Sequence, residues 1–236
     1  MQQRKAPKTE RKSRYAQADE EVAKKLKPLV PLTEKQRHLI TALQEKSQVF
    51  TIGSSGTGKT YVPAMYAAQQ YLIGNFKRIM VTRPNVASGP DLGYFKGTLD
   101  EKLEPWVYPV HEILVDVLGE NKVVTDMKNG NIMYVPLSVM RGRSYKDTFV
   151  IVDEAQNITL HQLKMLLTRI GHGSKLVLNG DVKQTDLKSS SSGLATVVGL
   201  AKKYNLGIPV IEFTTDDIVR GDICKQWAII FDEEGI

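Results

Sequence analysis

The sequence predicts an α/β domain in three layers, with a mainly parallel sheet between two layers of helices. Six short apolar segments rich in β-formers alternate with helical stretches along the 236-residue chain. Continuous apolar strands separated by helices are typical of parallel sheets that are buried on both faces. The predicted strands are residues 49–52, 78–82, 131–137, 148–153, 175–181 and 210–213. The predicted helices are residues 32–46, 60–73, 99–118, 159–170, 192–203 and about 222–231.

The positive charge of the chain is concentrated at its amino terminus. The formal net charge is +6, and residues 1–14 hold six cations against the single acid Glu10, a balance of +5. A polar segment without apolar periodicity cannot bury enough surface to fold by itself. We therefore predict a basic, disordered tail over residues 1–27 and a single domain over residues 28–236. The tail is either a solvated extension or an arm that contacts nucleic-acid phosphates, and the sequence leaves both interpretations open.

Membrane, secreted and disulfide-rich classes of protein are excluded by simple counts. The sequence has no apolar run of about 18 residues, the length at which a segment can span a bilayer. Its first 27 residues lack the apolar core of a signal peptide. The single cysteine, Cys224, cannot form an internal disulfide. We therefore expect a soluble cytoplasmic protein with no membrane partner.

A glycine-rich segment, GSSGTGKT at residues 53–60, follows the first predicted strand and precedes a predicted helix. It matches the pattern G-x-x-x-x-G-K-[ST], which in this context predicts a phosphate-binding loop. Glycines let successive backbone N–H groups turn towards a phosphate, and the helix start adds its positive dipole end. Lys59 is predicted to reach the β- and γ-phosphates, and Thr60 to ligate Mg²⁺. The predicted nucleotide-binding residues are Gly53, Ser54, Ser55, Gly56, Thr57, Gly58, Lys59 and Thr60.

A second strand, FVIVD at residues 149–153, leads into two consecutive acids. Asp153 is predicted to hold the Mg²⁺ shell, and Glu154 to orient and deprotonate an attacking water. At least one strand separates the phosphate loop from these acids in sequence, which is typical of one branch of ATPases. The guanine-specific pattern N-K-x-D is absent, because Asn121–Lys122 is followed by two valines. The predicted cofactors are therefore ATP, in preference to GTP, and Mg²⁺.

The next apolar strand, KLVLNGD at residues 175–181, is followed by Gln184. A polar side chain beside the acidic strand is able to contact both the γ-phosphate and the attacking water. Gln184 is therefore a candidate sensor of hydrolysis. A surface glutamine after a Gly–Asp turn explains the same residues and stays an open alternative.

Several segments, taken in order, resemble the PhoH-like family of P-loop ATPases. They are GSSGTGKT, RPNVASGPDLGYFKGTLDEKLEPW, MRGRSYKD, FVIVDEAQN, LLTRIGHGSKLVLNGDVKQTDL and DIVRGD, within about residues 32–222. The resemblance implies a RecA-like or helicase-like P-loop NTPase fold, similar to the first motor domain of superfamily 1 helicases. It also implies ATP hydrolysis, with RNA or single-stranded nucleic acid as the partner. Two-domain members carry a nuclease-like PIN domain, for which this chain has no room, so we expect no nuclease activity.

Gln36 has two interpretations. It stands three residues after Thr33 at the start of a predicted helix, which is the arrangement of a capping box. In the family resemblance it falls where the Q-motif glutamine of helicases binds adenine, which would explain a preference for ATP. The two roles do not exclude each other.

The resemblance also implies that the site is incomplete in one subunit. Superfamily 1 helicases place ATP between two motor domains, and only one such domain fits in this chain. An arginine supplied by a neighbour raises phosphoryl-transfer rates by roughly 10³ to 10⁵. We therefore predict a homo-oligomer, a ring and specifically a hexamer, whose subunits complete each other's sites. The candidate arginines are Arg220, which we prefer, Arg169, Arg141 and Arg143.

Contacts to nucleic acid are predicted at the end of the second strand and in two segments beyond it. An arginine at the sheet edge that carries the phosphate loop suits a phosphate of the nucleic-acid backbone, and aromatic side chains stack on bases in a sequence-tolerant way. The candidate residues are Arg83, Tyr94, Phe95, Lys96, Arg141 and Arg143. Packing within a loop explains the two aromatic residues equally well.

Two other functions fit parts of the pattern. One is an ATP-gated binding module that hydrolyses slowly and switches partners. The other is a P-loop small-molecule kinase, in which Glu154 would activate a substrate hydroxyl instead of water. The kinase leaves the GDVKQ segment without a role. An oligomeric ATPase that acts on RNA is the function that the sequence favours.

Overall fold

The computed structural model describes residues 27–84, 99–140, 144–182, 184 and 192–234. These residues contain six strands and seven α-helices, and most of the strands are separated by helices. The strands are β1 (Gln48–Gly53), β2 (Arg78–Thr82), β3 (Ile132–Tyr134), β4 (Thr148–Val152), β5 (Lys175–Gly180) and β6 (Val210–Phe213). The helices are α1 (Glu34–Glu45), α2 (Tyr61–Leu72), α3 (Leu99–Leu118), α4 (Glu120–Lys128), α5 (Leu160–Leu167), α6 (Leu194–Lys203) and α7 (Asp222–Glu234).

The six strands form one sheet in the order β3-β2-β4-β5-β1-β6, and every pair of neighbours is parallel. β5 lies between β1 and β4, with Val177 paired to both Val49 and Ile151. Because all strands run the same way, their carboxyl ends meet at one edge of the sheet, which we call the carboxyl edge. The opposite edge is the amino edge. The predicted α/β fold with a mainly parallel sheet is confirmed.

Helices cover both faces of this sheet. Alternate residues of a strand point to opposite faces, so in β4 Phe149 and Ile151 belong to one apolar core and Val150 and Val152 to the other. The first core contains residues of α1, α2, α3 and α4, and the second contains residues of α5 and α6. All five residues of β4 are buried, which is why the four residues after Thr148 are all apolar. The predicted three layers are confirmed.

β3 is shorter than the prediction of residues 131–137. It pairs with β2 only from Ile132 to Tyr134, and the last bond to β2 runs from the Val135 N–H to the Val81 carbonyl at 2.9 Å. Pro136 has no N–H group and cannot extend the ladder. The chain then turns into a 3₁₀ segment, Leu137–Met140.

Helix α4 is absent from the sequence prediction. Gly119, at φ +83°, separates it from α3, and its backbone N–H still bonds the Val115 carbonyl at 2.8 Å. Only Val123 and Asp126 of its nine residues are buried. An amphipathic segment this short has only a weak apolar period, so the sequence does not reveal it. Asn121 and Lys122, which resemble the start of the guanine-specific pattern N-K-x-D, lie inside this helix.

The predicted basic tail lies outside the described residues, except for Lys27. The carbonyl of Lys27 accepts a hydrogen bond from Gln69 Nε2 at 2.7 Å, and its ammonium group pairs with Asp116. The chain is therefore attached to α2 and α3 from Lys27 onwards. Among the described residues, no helix combines the length and the apolar character needed to cross a bilayer.

Candidate active site

The glycine-rich loop joins the end of β1 to the start of α2 at the carboxyl edge of the sheet. Gly53, Gly56 and Gly58 all have positive φ angles, of +125°, +79° and +84°. A Cβ atom on Gly53 would lie 1.9 Å from the carbonyl oxygen of Phe213 in β6. The loop therefore requires glycine both for its backbone angles and for its close approach to the neighbouring strand.

Side chains of the loop hold it in shape from within. The Thr57 hydroxyl, on a residue with no solvent exposure, donates to the Ser54 carbonyl at 3.0 Å. Lys59 Nζ donates to the same carbonyl at 3.1 Å, so the lysine spans the loop. Ser55 is exposed at its tip. The loop is thus formed by the protein's own bonds, with the lysine already directed across it.

The ammonium group of Lys59 lies among carboxylates. Burial lowers the pKa of Lys59, and the negative charges of Asp181, Glu154 and Asp153 partly oppose that effect. Asp153 and Asp181 are themselves buried, at 7% and 5% exposure. The three acids come from the ends of β4 and β5, so the sheet order brings them to the loop.

Thr60 and Asp153 meet in the way that a magnesium site requires. The Thr60 hydroxyl donates to Asp153 Oδ1 at 2.8 Å. Burial raises the pKa of Asp153, against the lowering effect of the Thr60 hydrogen bond. A buried carboxylate and a hydroxyl group supply the oxygen ligands that hard cations such as Mg²⁺ prefer. A bound divalent cation would also offset the free-energy cost of burying the carboxylate charge. These two residues fit Mg²⁺.

Glu154 lies on a strained turn and both of its carboxylate oxygens have partners. Its backbone has φ 52° and ψ 42°, a left-handed conformation that is uncommon for a non-glycine residue and costs of order 1 kcal/mol. Oε2 accepts a hydrogen bond from Gln156 Nε2 at 2.5 Å. Oε1 lies 3.6 Å from a terminal nitrogen of Arg83. The predicted base is therefore held in place by two neighbouring side chains.

Gln156 was not among the predicted site residues. It is 3% exposed, and its Oε1 accepts a hydrogen bond from the Asp181 N–H at 3.0 Å. Its side chain thus joins Glu154, after β4, to the end of β5. The only signal in the sequence is a glutamine two residues after the predicted base Glu154, and that signal does not show which strand the glutamine contacts.

Gln184 is exposed, and its backbone N–H donates to the Asp181 carbonyl at 3.3 Å. The bond between β5 and the predicted base is made by Gln156 instead. The sensing role of Gln184 stays a prediction.

Gln36 is buried behind the phosphate loop, at 3% exposure. Its Nε2 donates to the Thr57 carbonyl at 2.9 Å, and its Oε1 accepts from the Leu32 N–H at 2.8 Å. The Thr33 hydroxyl accepts from the Gln36 N–H at 3.2 Å, so Thr33 is the predicted N-cap. In a strict capping box the Gln36 side chain would accept a hydrogen bond from the Thr33 N–H. Here it accepts from the N–H of the preceding residue, Leu32. Gln36 braces the loop from α1, and its binding of adenine stays a prediction.

The two described finger candidates lie at opposite edges of the sheet. Arg220 lies on the phosphate loop of its own chain: its Cδ is 3.0 Å from the position that a Cβ on Gly56 would take, and the Val219 N–H donates to the Gly56 carbonyl at 3.1 Å. Arg169 follows α5 at the amino edge, where its carbonyl accepts from the Tyr145 N–H at 3.1 Å. The structure therefore brings Arg220, and not Arg169, to the site of its own chain.

Five predicted residues fall outside the described part of the chain. They are Tyr94, Phe95, Lys96, Arg141 and Arg143. Their roles stay predictions. Among the candidates for contacts to nucleic acid, Arg83 is the one that lies within the described residues. Its side chain is 31% exposed and lies beside Glu154.

Comparison with known proteins identifies the family of this chain. The family model described as PhoH-like protein matches residues 28–232, which include every element of the sheet. The chain belongs to the PhoH-like protein family. The matched range is wider than the 32–222 over which the sequence motifs alone resemble it.

Relatives of the family extend over most of this chain. The PhoH-like protein of Bacillus subtilis is 41% identical over 219 residues, which are 92% of this chain and 68% of that protein. The PhoH-like protein of Synechocystis sp. is 41% identical over 195 residues, 82% of this chain and 59% of the relative. Protein PhoH of Escherichia coli K12 is 34% identical over 202 residues, 84% of this chain and 57% of the relative. The chain thus spans little more than half the length of the last two.

Solved structures with a similar fold include two helicases. The Pif1 helicase from Candida albicans aligns with a TM-score of 0.37 at 19% identity, over 79% of this chain and 40% of that one. Pif1 from Bacteroides sp in complex with ADP-AlF4 aligns with a TM-score of 0.35 at 15% identity, over 79% of this chain and 42% of that one.

Proposed function

We propose that this PhoH-like chain binds and hydrolyses ATP. The observation that carries the proposal is the meeting of four side chains at the carboxyl edge: Lys59 across the loop, Thr60 bonded to Asp153 at 2.8 Å, and Glu154 beside them. Lys59 and the loop N–H groups would hold the β- and γ-phosphates. Thr60 and Asp153 would hold Mg²⁺, which neutralises charge on the phosphates when bound. Glu154 would orient the attacking water and accept its proton.

The polymer partner in this proposal is RNA or another single-stranded nucleic acid. Membership of the family and the cation at Arg83, on the same edge as the phosphate loop, support it. A guanidinium suits a phosphodiester because its planar donors match the phosphate oxygens. The predicted cytoplasmic location belongs to the same proposal, since both ATP and RNA are available there.

The assembly in this proposal is a homo-oligomeric ring, with a hexamer as the expected size. Arg220 touches its own phosphate loop, so we assign it to the site of its own subunit. Arg169 lies at the amino edge and would reach a phosphate loop only in the neighbouring subunit of a head-to-tail ring, in which different surfaces meet. Its Nε is buried without a hydrogen-bond partner among the described residues.

A slow, ATP-gated switch is the second candidate, and the contacts of Glu154 favour it. A base that is held by Arg83 and Gln156 is not free to activate water until one contact is released. Under this candidate the Glu154→Gln substitution would merely slow the release of the partner.

Steady-state ATP hydrolysis, measured with and without single-stranded RNA and at several protein concentrations, tests the proposal. We expect turnover that the RNA stimulates and that rises per subunit with concentration. The Lys59→Ala protein should lose at least about 100-fold in activity, because the loss of one charged contact to the transition state costs several kcal/mol. Turnover that ignores RNA and requires a small hydroxylated acceptor would instead identify a kinase. Activity of Lys59→Ala equal to that of the wild type would overturn the assignment of the site.

A further inference from the structure

Arg83 lies at the carboxyl edge of the sheet, beside the candidate nucleotide site. β2 pairs with β4 in a register that sets Thr82 opposite Val152, and the Asp153 N–H donates to the Thr82 carbonyl at 2.9 Å. The first residue beyond β2 therefore faces the acids beyond β4. This adjacency brings the Arg83 guanidinium to 3.6 Å from Glu154 Oε1.

The two contacts that hold Glu154 differ in how easily they can be exchanged. Gln156 is 3% exposed and is fixed at its other end by the Asp181 N–H. The side chains of Arg83 and Glu154 are 31% and 35% exposed, so their ion pair is reachable from solvent. Gln156 is therefore the more firmly fixed of the two partners of Glu154, and Arg83 is the one that an external anion can reach.

The chemistry of an arginine makes that exchange specific. A general base uses an oxygen lone pair to take the proton of water, and a guanidinium directed at that oxygen competes for it. Arginine also binds phosphodiesters through parallel N–H donors and is weakly hydrated, so it moves readily from one anion to another. A backbone phosphate at the carboxyl edge would compete with Glu154 for the same guanidinium.

We propose that Arg83 is a positioning residue that holds Glu154 away from the attacking water until a backbone phosphate of single-stranded nucleic acid takes its guanidinium. Nucleic-acid binding then releases the base and switches on ATP hydrolysis. This inference rests on the proposed ATPase function. An ion pair that is one-third exposed is weak, so the expected coupling is about fivefold.

The first test is the rate of ATP hydrolysis of Arg83→Gln, without nucleic acid and with saturating oligo(U) or oligo(dT). We expect the basal rate to rise about fivefold, to the stimulated rate of the wild type, and the stimulation to disappear. Arg78→Gln is the matched control, because it removes the same charge from the exposed other end of β2. It should keep both the basal rate and the stimulation. Stimulation by oligo(U) alone indicates RNA, and equal stimulation indicates the shared phosphodiester backbone.

The second test measures binding of fluorescent oligonucleotides in the absence of ATP, so it does not depend on catalysis. If Glu154 holds Arg83, then Glu154→Gln should remove this ion-pair partner of the guanidinium and tighten oligonucleotide binding about fivefold, because coupling between two sites is reciprocal. The gain should vanish when Arg83→Gln is added. A purely structural role for Arg83 would not produce this dependence.

The results separate this inference from the function on which it rests. A Lys59-dependent ATPase that oligonucleotides do not stimulate overturns the gating by Arg83 and leaves the ATPase intact. A basal rate that stays the same or falls in Arg83→Gln also overturns it, as does unchanged binding by Glu154→Gln. If no Lys59-dependent hydrolysis is found, the proposed function fails, and the binding test still decides whether the two side chains are coupled.

Discussion

Glu154 and Gln36 show that side chains of the candidate site are held by bonds to the protein itself. Glu154 accepts from Gln156 and lies beside Arg83, while Gln36 bonds the backbone of Thr57 and Leu32. Pre-formed contacts of this kind fix geometry before a ligand arrives, which lowers the cost of ordering the site. Of these contacts, the ion pair with Arg83 is the one that the proposed gating exchanges, while those of Gln156 and Gln36 stay in place.

Replacement of Gln36 by leucine tests whether it braces the phosphate loop. The substitution removes the partner of the Thr57 carbonyl and of the Leu32 N–H, and we expect the free energy of unfolding to fall by about 2 kcal/mol. As a brace, Gln36 should matter equally for ATP and GTP, so both affinities should weaken together. Urea denaturation and nucleotide titration measure the two effects.

Gln44→Leu is the control for that experiment, because Gln44 is exposed on the same helix. Its effect on unfolding should stay within about 0.5 kcal/mol. If Gln36→Leu weakened ATP binding while GTP binding stayed unchanged, adenine recognition would be the main role of Gln36 and the brace would be secondary.

Among the elements, α4 shows how one buried acid anchors a short helix. Lys122 Nζ bonds Asp126 Oδ2 at 2.8 Å within the helix, and the side chains of Tyr71, in α2, and Asn131, before β3, also bond this carboxylate. Burial alone would raise the pKa of Asp126, but these hydrogen bonds outweigh it and hold the pKa below its usual value. The carboxylate thus connects α4 to two other parts of the fold.

Asp126→Asn should destabilise the protein by about 2 kcal/mol at pH 7, because charge-assisted bonds to a buried carboxylate are lost. A carboxyl group whose pKa is lower in the folded state contributes stability above its unfolded pKa, about 3.9, and loses it as pH falls through the folded value. The difference between wild type and variant should therefore be full at pH 7 and shrink below about pH 4. Urea denaturation across this range measures it.

Glu120→Gln provides the control, since Glu120 is an exposed acid on the same helix. It should change the unfolding free energy little at any pH. A difference between wild type and Asp126→Asn that stayed constant from pH 7 to pH 3 would show that the carboxylate charge is not what anchors α4.

The sequence predicts those elements and residues whose signal is local. β4 is recognisable because all five residues are buried, and the phosphate loop because its glycines and lysine have fixed spacing. The contacts of Glu154 depend on which strands are neighbours. Arg83 lies near Glu154 because β2 pairs with β4, and Gln156 contacts Asp181 because β5 also pairs with β4. Strand order and a left-handed turn are properties of the folded chain, so neither contact follows from composition or spacing.

For the whole molecule, the sheet topology separates the two candidate arginines that the structure describes, Arg220 and Arg169. β1 ends and α5 begins at the carboxyl edge, and α5 returns the chain to the amino edge before β5. Arg169 therefore lies far from the phosphate loop of its own chain, whereas Arg220 lies against that loop beside Gly56. A ring that closes head-to-tail would place the amino-edge surface of one subunit against a different surface of the next.

Mixing inactive variants tests this assignment directly. A one-to-one mixture of Lys59→Ala and Arg169→Ala, allowed to exchange subunits, should regain about a quarter of wild-type ATP hydrolysis, because a site is whole when its own subunit keeps Lys59 and the neighbour keeps Arg169. Lys59→Ala mixed with Arg220→Ala should regain nothing, since both residues serve the same subunit. Recovery in the second mixture and not in the first would make Arg220 the residue donated between subunits, and would place the contact of Arg220 with Gly56 outside the catalytic cycle.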